Sequence, residues 1–492
     1  MREAISLIIP PSAFLLDERV FMTLGILKVA AAVEARGRPV DVLDLSGIKN
    51  FIGAVHDYAS STPTRYFGIT ATTPQMPAAI SVAEAIRSVR SDARVILGGP
   101  HITLVAAAVK GERRLGITGR ASRSFQKLYE HFDVVVAGDG ELAIELALQS
   151  AAPQFIDADD PTQPLFLTNQ DLEGLPFPAR HLVDVDSYHY TIEGERALSL
   201  IAQLGCPFEC GFCGGRQSPF LRRVRTRQSA HVIQEIVHLT TVYGVRGVML
   251  YDDELNVNRN MLELMRGIYE AQEKIGVEWR FRGFIKSQLF TDAQAEAMYH
   301  AGFRWILVGF ESGAPRILEN INKRATLDEN TRCMEIARRH GLKVKALMSI
   351  GHPGESFETI HETRDWLLKM RPDDFDVTII TTYPGTPYYD FALPFQDNPA
   401  TWVYTCKKTD DRLYSLEVDY TKTTNYYKGI PGEYSAYVAT DFLTSDELVR
   451  ERDMLETAVR DALGIPFNAS VPALLYEHSM GQLPPYILRS TS

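Results

Sequence analysis

From residue 4 to about 150, short apolar runs alternate with helical stretches, and the alternation resumes from about 196 to 380. The first series reads AISLIIPP, FMTLGILKVAAAVEARG, PVDVLDLSG, YFGITATT, MPAAISVAEAIRSVRS, ARVILGGPH, DVVVAGDGE and ELAIELALQ. Strands that are apolar along their whole length need a sheet covered on both faces, and helices between them supply the cover in parallel βαβ units. Residues 1–150 are therefore expected to form an α/β domain of the doubly wound, Rossmann-like kind. Its polar segments TATTPQ, GGPH and AGDGE each follow a strand. That puts them at the carboxyl edge, where open α/β sheets bind ligands and where a flat cofactor would sit.

Residues 151–195 are rich in Pro and Asp and lack periodicity, the marks of a linker crossing the surface. A second series, over 196–392, runs LSLIAQL, a helix over 229–244, VRGVMLYDD, a helix over 259–275, VEWRFRGF, a helix over 292–301, RWILVGFES, helices over 314–340, KVKALMSIG, a helix over 356–370 and FDVTIITTYP. Six strands with intervening helices predict a partial (β/α)6 TIM-type barrel whose site lies at the carboxyl ends of its strands. Aromatic-rich irregular sequence and a helix over 444–462 predict a small C-terminal domain over 393–492. A chain of 492 residues exceeds what one hydrophobic core sustains, in keeping with several domains.

A net charge of -11 argues against a phosphate-backbone binder, so no nucleic-acid partner is expected. No run of about eighteen apolar residues appears, and the N-terminal apolar stretch meets Pro10 and Pro11 too soon to be an anchor; no membrane span is expected. Of five cysteines, three crowd into eight residues, unlike a secreted disulfide framework, and a cytoplasmic location is expected.

Those three, in LIAQLGCPFECGFCGG, are Cys206, Cys210 and Cys213, a C-x3-C-x2-C pattern directly after a strand. Thiolate is the soft ligand iron favours, and three this close can hold three corners of a [4Fe-4S] cluster, leaving one iron open. A structural zinc ion would want a fourth ligand. None lies near, since Cys333 and Cys406 are distant in sequence.

At these residues the chain resembles the radical S-adenosylmethionine (SAM) superfamily, and the preceding doubly wound domain resembles its cobalamin-binding branch; the resemblance covers about residues 1–395. It implies that the open iron chelates the amino and carboxylate groups of SAM, and that electron transfer from the reduced cluster releases a 5'-deoxyadenosyl radical. It assigns to the SAM site Phe212, the aromatic before the third cysteine. Asp252 or Asp253 of LYDDELN would hold the SAM amino group, Glu311 and Ser312 of GFESGAPRILENINK would lie near ribose and methionine, and Ser349 and Gly351 of SIGHPGES would meet adenine. YPGTPYYD resembles the sixth-strand ending.

For cobalamin the resemblance implies contacts from Thr70, Thr72, Thr73 and Gln75, from Gly98, Gly99, Pro100 and His101, and from Gly138 and Glu141. The histidine motif D-x-H-x-x-G of many cobalamin proteins is absent, and neither His56 nor His101 stands in one. Cobalt is therefore expected to lack a protein imidazole, with the loop from Thr73 to Met76, Gln75 foremost, under its lower face. The implied activity is methylation of an unactivated carbon of a small-molecule or natural-product substrate through methylcobalamin. A cobalamin-linked radical cyclase, oxidase or rearrangement enzyme is the alternative. Either would draw on an electron donor such as flavodoxin or ferredoxin. Tyr383 and His352 are candidate catalytic residues, with Glu355 a further proton-exchanging group. The tyrosines 414, 420, 426, 427, 434 and 437 either close over a ring-containing substrate or pack against the barrel.

Overall fold

Two parallel sheets, one for each βα series, organise the computed structural model, which describes residues 3–12, 18–149, 151–426 and 434–465. The first sheet takes β1 (Ile5–Ile9), β2 (Val40–Asp44), β3 (Tyr66–Thr70), β4 (Arg94–Gly98), β5 (Val134–Gly138) and β6 (Phe155–Ala158). Between them run α1 (Leu24–Ala35), α2 (Phe51–Ser61), α3 (Met76–Val89), α4 (Pro100–Arg114), α5 (Arg120–His131) and α6 (Gly140–Ala147). All strand pairs are parallel, in the order β2-β1-β3-β4-β5-β6. The order reverses between β1 and β3, the switch point at which doubly wound sheets open a crevice.

The stretch 151–195, read from composition as a linker, contributes to both sheets. Its β6 extends the first, and Thr191–Ile192 forms β7, a hairpin partner of the barrel's first strand. Between them lies α7 (Asn169–Gly174), opened by a Thr168–Asp171 capping box. Only Ile156 and Ala158 of β6 are buried, alternately, and so short a pattern disappears among the surrounding Pro and Asp.

The barrel begins with β8 (Glu195–Leu200), β9 (Gln203–Leu204), α8 (Pro219–Arg222), β10 (Arg225–Thr226) and α9 (Ser229–Tyr243). It continues through β11 (Gly247–Leu250), α10 (Met261–Ile275), β12 (Arg280–Ile285), α11 (Asp292–His300), β13 (Phe303–Glu311), α12 (Pro315–Asn320) and α13 (Leu327–Arg339). The last units are β14 (Lys343–Ile350), α14 (Phe357–Met370) and β15 (Asp374–Ile379). Strand order β15-β14-β13-β12-β11-β8-β7 leaves the ring open, six parallel strands with β7 added antiparallel.

After α15 (Pro387–Asp390) come β16 (Leu393–Phe395), β17 (Asn398–Thr405), β18 (Arg412–Leu416) and β19 (Val438–Thr440), an antiparallel sheet, and then α16 (Ser445–Leu463). An open edge with unpaired carbonyls invites misassembly, and α16 covers that of β15. Arg452 Nε donates to the Val377 carbonyl at 2.9 Å and Arg460 Nη2 to that of Phe375 at 2.8 Å. Among the described residues no helix is long and apolar enough to cross a membrane.

Buried polar contacts lock the first domain to the rest. Arg225 pairs with Asp139 at 2.6 Å, both 1 % exposed, and Asp159 accepts from Ser218 Oγ and Phe220 N, each at 2.7 Å. On the far side, the Arg120 guanidinium lies between the Tyr389 and Trp402 rings, 3.5 and 4.3 Å from their centroids.

Candidate active site

The cysteine loop leaves β9 and is pinned on every side. Asp252 Oδ1 accepts from the amides of Ala202 and Gln203 at 2.7 and 3.0 Å, and Asp253 Oδ2 from that of Gly205 at 3.0 Å. Both aspartates assigned to SAM thus tie down the approach to Cys206. Gly205 has φ +83°, and a Cβ there would sit 2.3 Å from the Arg223 carbonyl, so only glycine serves. Further along, Arg222 donates to the Pro207 carbonyl at 3.0 Å, Asn322 to that of Glu209 at 2.9 Å, and the Gly211 amide to Ile321 at 2.8 Å.

Cys206 is half-buried, Cys210 buried and Cys213 exposed. Burial pushes the Cys206 thiol up to about 11 and raises Cys210 as well. The Cys213 thiol is raised too, by burial first and then by the sulfurs of Cys210 and Cys206. The three sulfurs therefore feel one another. No three His, Cys, Asp or Glu side chains among the described residues converge as a single metal ion requires. A cubane asks for something different, because each thiolate meets its own iron, and the donor set suits that.

Facing the loop is a buried charge network. Glu311 ends β13 in the left-handed region, φ +66°, where a register shift against β14 turns its side chain inward. Burial works against its charge, but the Lys323 ammonium at 2.7 Å and the Ser349 hydroxyl at 2.9 Å hold its carboxyl below the usual range. Ser349 Oγ lies 2.8 Å from His352 Nε2, and His352 Nδ1 lies 3.3 Å from Tyr388 Oη. Burial lowers His352 to about 4, so the ring is neutral. The Ser349 proton goes to the carboxylate, which assigns the ring proton to Nε2 and leaves Nδ1 to accept from Tyr388. The Phe212 ring meets the His352 ring edge-on, centroids 5.2 Å apart.

Three residues here were not anticipated. Glu254, next to the two aspartates, is raised by burial and faces the ammonium groups of Lys323 and Lys286. Lys323 sits buried after α12, and Lys286 buried just past β12. The available signal was a lone lysine in an otherwise apolar strand ending, GFIKSQLF, and an acid directly after YDD.

Other expected residues have different surroundings. Ser312 Oγ meets Thr363 Oγ1 at 3.0 Å and accepts from the Ala314 amide at 3.1 Å, bonds that start α12. The Gly351 amide donates to Glu355 Oε2 at 3.2 Å, and burial raises Glu355 to about 7. Tyr383 packs against Tyr420 and Tyr426, 5.6 and 5.8 Å between centroids. Tyr434 donates to Asp453, Tyr414 to Asp441 and Tyr437 to Asn425. Tyr427 lies outside the described residues.

At the β1/β3 switch point a cavity of about 280 Å³ opens beside the carboxyl edge of the first sheet. Of the residues expected at cobalamin, Thr70, Thr72, Gln75, Gly98, Gly99, Pro100, Gly138 and Glu141 line it. Its far wall comes from the segment around the cysteine loop: Ile201 between β8 and β9, Leu204 of β9 and Phe220 of α8. Leu204 stands two residues before Cys206, so cavity and cysteine loop share a wall. Gly25 and Gly98 line the cavity, and a Cβ on either would meet no protein atom within 4 Å. The lining is mostly apolar, and the Lys28–Glu141 pair at 2.7 Å supplies a polar point on its wall.

His101 and Thr73 are not among the lining residues; they bond each other at 3.1 Å, and burial lowers the imidazole to about 4. Gln75 reaches the lining with its polar atoms already engaged. Its Oε1 accepts from Thr72 N and Oγ1 at 3.1 and 2.9 Å, and its Nε2 donates to the Pro10 carbonyl at 2.9 Å.

Residues 200–367 match the model of the radical SAM superfamily. An uncharacterized methyltransferase of Pyrococcus horikoshii is 28% identical over 338 residues, 66% of this chain and 69% of that protein. The anaerobic magnesium-protoporphyrin IX monomethyl ester cyclase of Cereibacter sphaeroides is 26% identical over 364 residues, 69% of this chain but only 56% of the cyclase. Among solved structures, the radical SAM methyltransferase TsrM from Kitasatospora setae, with cobalamin and a [4Fe-4S] cluster bound, superposes with a TM-score of 0.63 at 18% identity, covering 83% of this chain and 81% of that one. The cobalamin-dependent SAM radical enzyme OxsB, with aqua-cobalamin bound, gives 0.58 at 14% identity over 78% and 54%. At such identities the two structures establish a shared fold.

Proposed function

We propose, on the premise that residues 200–367 match the radical SAM superfamily, that the chain is a cobalamin-dependent radical SAM enzyme that methylates an unactivated carbon of a small molecule. One observation carries the reading: the cavity at the switch point and the cysteine loop share a wall through Leu204. A substrate held across that wall would face both halves of the molecule. When bound, the cluster and cobalamin supply reductive cleavage of SAM and a transferable methyl group.

This chain's own residues bind, orient and exclude water. Cys206, Cys210 and Cys213 are the ligands proposed for the cluster. Glu311, Ser349, Phe212 and Gly351 border the space proposed for SAM, joined there by Glu254, Lys323 and Lys286. Because Lys323 already pairs with Glu311 and backbone amides engage Asp252 and Asp253, we assign Glu254 to the SAM amino group in place of Asp252 or Asp253. His352, neutral and protonated at Nε2, fixes Ser349 and Tyr388 rather than carrying charge. Gly98, Gly99, Gly138 and the Lys28–Glu141 pair are assigned to cobalamin, with cobalt free of any protein imidazole, in line with His101's bond to Thr73.

Support for methyl transfer over ring closure comes from the relative named a methyltransferase, which aligns over 69% of its own length against 56% for the cyclase. The electron donor is proposed to be a flavodoxin or ferredoxin. A reducing, cytoplasmic setting is proposed from the crowding of three of the five cysteines into eight residues, unlike a secreted disulfide framework. The test is anaerobic incubation of reconstituted protein with methyl-labelled SAM and cell extract. The proposal expects label in a product with both S-adenosylhomocysteine and 5'-deoxyadenosine formed. Formation of 5'-deoxyadenosine with neither label nor S-adenosylhomocysteine contradicts it and favours the cyclase-type reading.

A further inference from the structure

Lys286 is 2 % exposed, among the largest fully buried side chains of the molecule. Asn256 grips its backbone from both directions, accepting from the Lys286 amide at 2.8 Å and donating to its carbonyl at 2.9 Å. The ammonium lies 4.0 Å from the centre of the Phe208 ring, in the stretch between the first two cysteines. Among the described residues that ring is its closest partner, and no carboxylate stands within ion-pair distance. Lys323 adds like-charge repulsion, while Glu254 and the sulfurs of Cys210 and Cys206 act on it from beyond contact.

A buried ammonium without an ionic partner is strongly unfavourable, and native structures do not keep one without cause. Lys323 has Glu311; Lys286 lacks an equivalent. The arrangement calls for a further negative charge on the cysteine side of Phe208. Resting on the reading that Cys206, Cys210 and Cys213 hold a cluster, we propose that Lys286 is the standing counter-charge of that cluster, a positioning residue that raises its reduction potential. Reduction adds an electron beside a fixed positive charge in a low-dielectric recess, where the attraction is least screened. Phe208 sets the separation: its face holds the ammonium, and its backbone belongs to the loop that carries the thiolates.

The test uses full-length, anaerobically reconstituted wild type, K286M, K286Q and K286R, with iron content measured and the cluster titrated by EPR-monitored reduction without SAM. K286M and K286Q are expected to keep wild-type iron and shift the midpoint to a more negative potential, while K286R stays close to wild type. Should K286M fail to assemble a cluster, K286Q carries the same expectation, and loss of iron in both neutral variants but not in K286R also supports a counter-charge role. An unchanged midpoint in the neutral variants overturns the proposal, including the case where only their affinity for SAM falls, which would make Lys286 a partner of the SAM carboxylate. A wild-type protein without a reducible cluster would instead contradict the cluster reading itself.

Discussion

Glu355 makes the most exacting prediction at the scale of single residues. It is 1 % exposed and held by Thr359 and the Gly351 amide, and burial raises its carboxyl to about 7. A folded pKa above the unfolded value near 4.5 means that the native state binds the proton more tightly. The resulting stability is complete below about pH 4.5 and is lost as pH rises through 7. Glu355→Gln, which imitates the protonated acid, is therefore expected to gain on wild type by about 2.5 kcal/mol between pH 5 and pH 8. Urea unfolding at the two values measures it, and a difference independent of pH contradicts the assignment. The same scale shows what the sequence could and could not tell. Three clustered cysteines are legible because their chemistry demands proximity in the chain. Which of Asp252, Asp253 and Glu254 is left free for a ligand is not, because each follows one strand end and only the backbone amides of residues 202, 203 and 205, brought over by the neighbouring strand, reveal that the two aspartates are engaged.

Elements were read most securely where pattern and length agreed. Helices expected over 229–244, 292–301 and 356–370 correspond to Ser229–Tyr243, Asp292–His300 and Phe357–Met370, since periodicity marks the buried face and, for the last two, the caps Thr291 and Ser356 mark the start. Strand β6 escaped notice because four residues carry too little alternation to stand out from a Pro- and Asp-rich surround. The carboxyl edge of the first sheet was legible through its glycines, and β4 offers a direct check there. At Gly98, which lines the cavity, an added Cβ would meet no protein atom within 4 Å. Gly98→Val should fold and keep its iron, yet bind cobalamin at least about tenfold more weakly, the effect of losing ~1.4 kcal/mol. Cobalt content after dialysis reads this out. Undiminished retention would show that the cofactor does not use this cavity.

At the scale of the whole molecule, the order of domains follows from two βα series and their breaks, whereas their docking does not. The contacts that join them, Arg225 with Asp139 and Arg120 with Tyr389 and Trp402, link residues far apart in the chain, and each side alone reads as an ordinary charged or aromatic residue. Docking nevertheless creates the functional arrangement, because the wall shared by cavity and cysteine loop exists only where Leu204 meets the carboxyl edge of the first sheet. The division of labour across that wall is open to one decisive measurement: iron, cobalt and 5'-deoxyadenosine determined on reconstituted wild type and on a variant with Cys206, Cys210 and Cys213 all replaced by alanine. The variant is predicted to lose iron and SAM cleavage while retaining cobalamin. Iron content and cleavage equal to wild type would contradict the account.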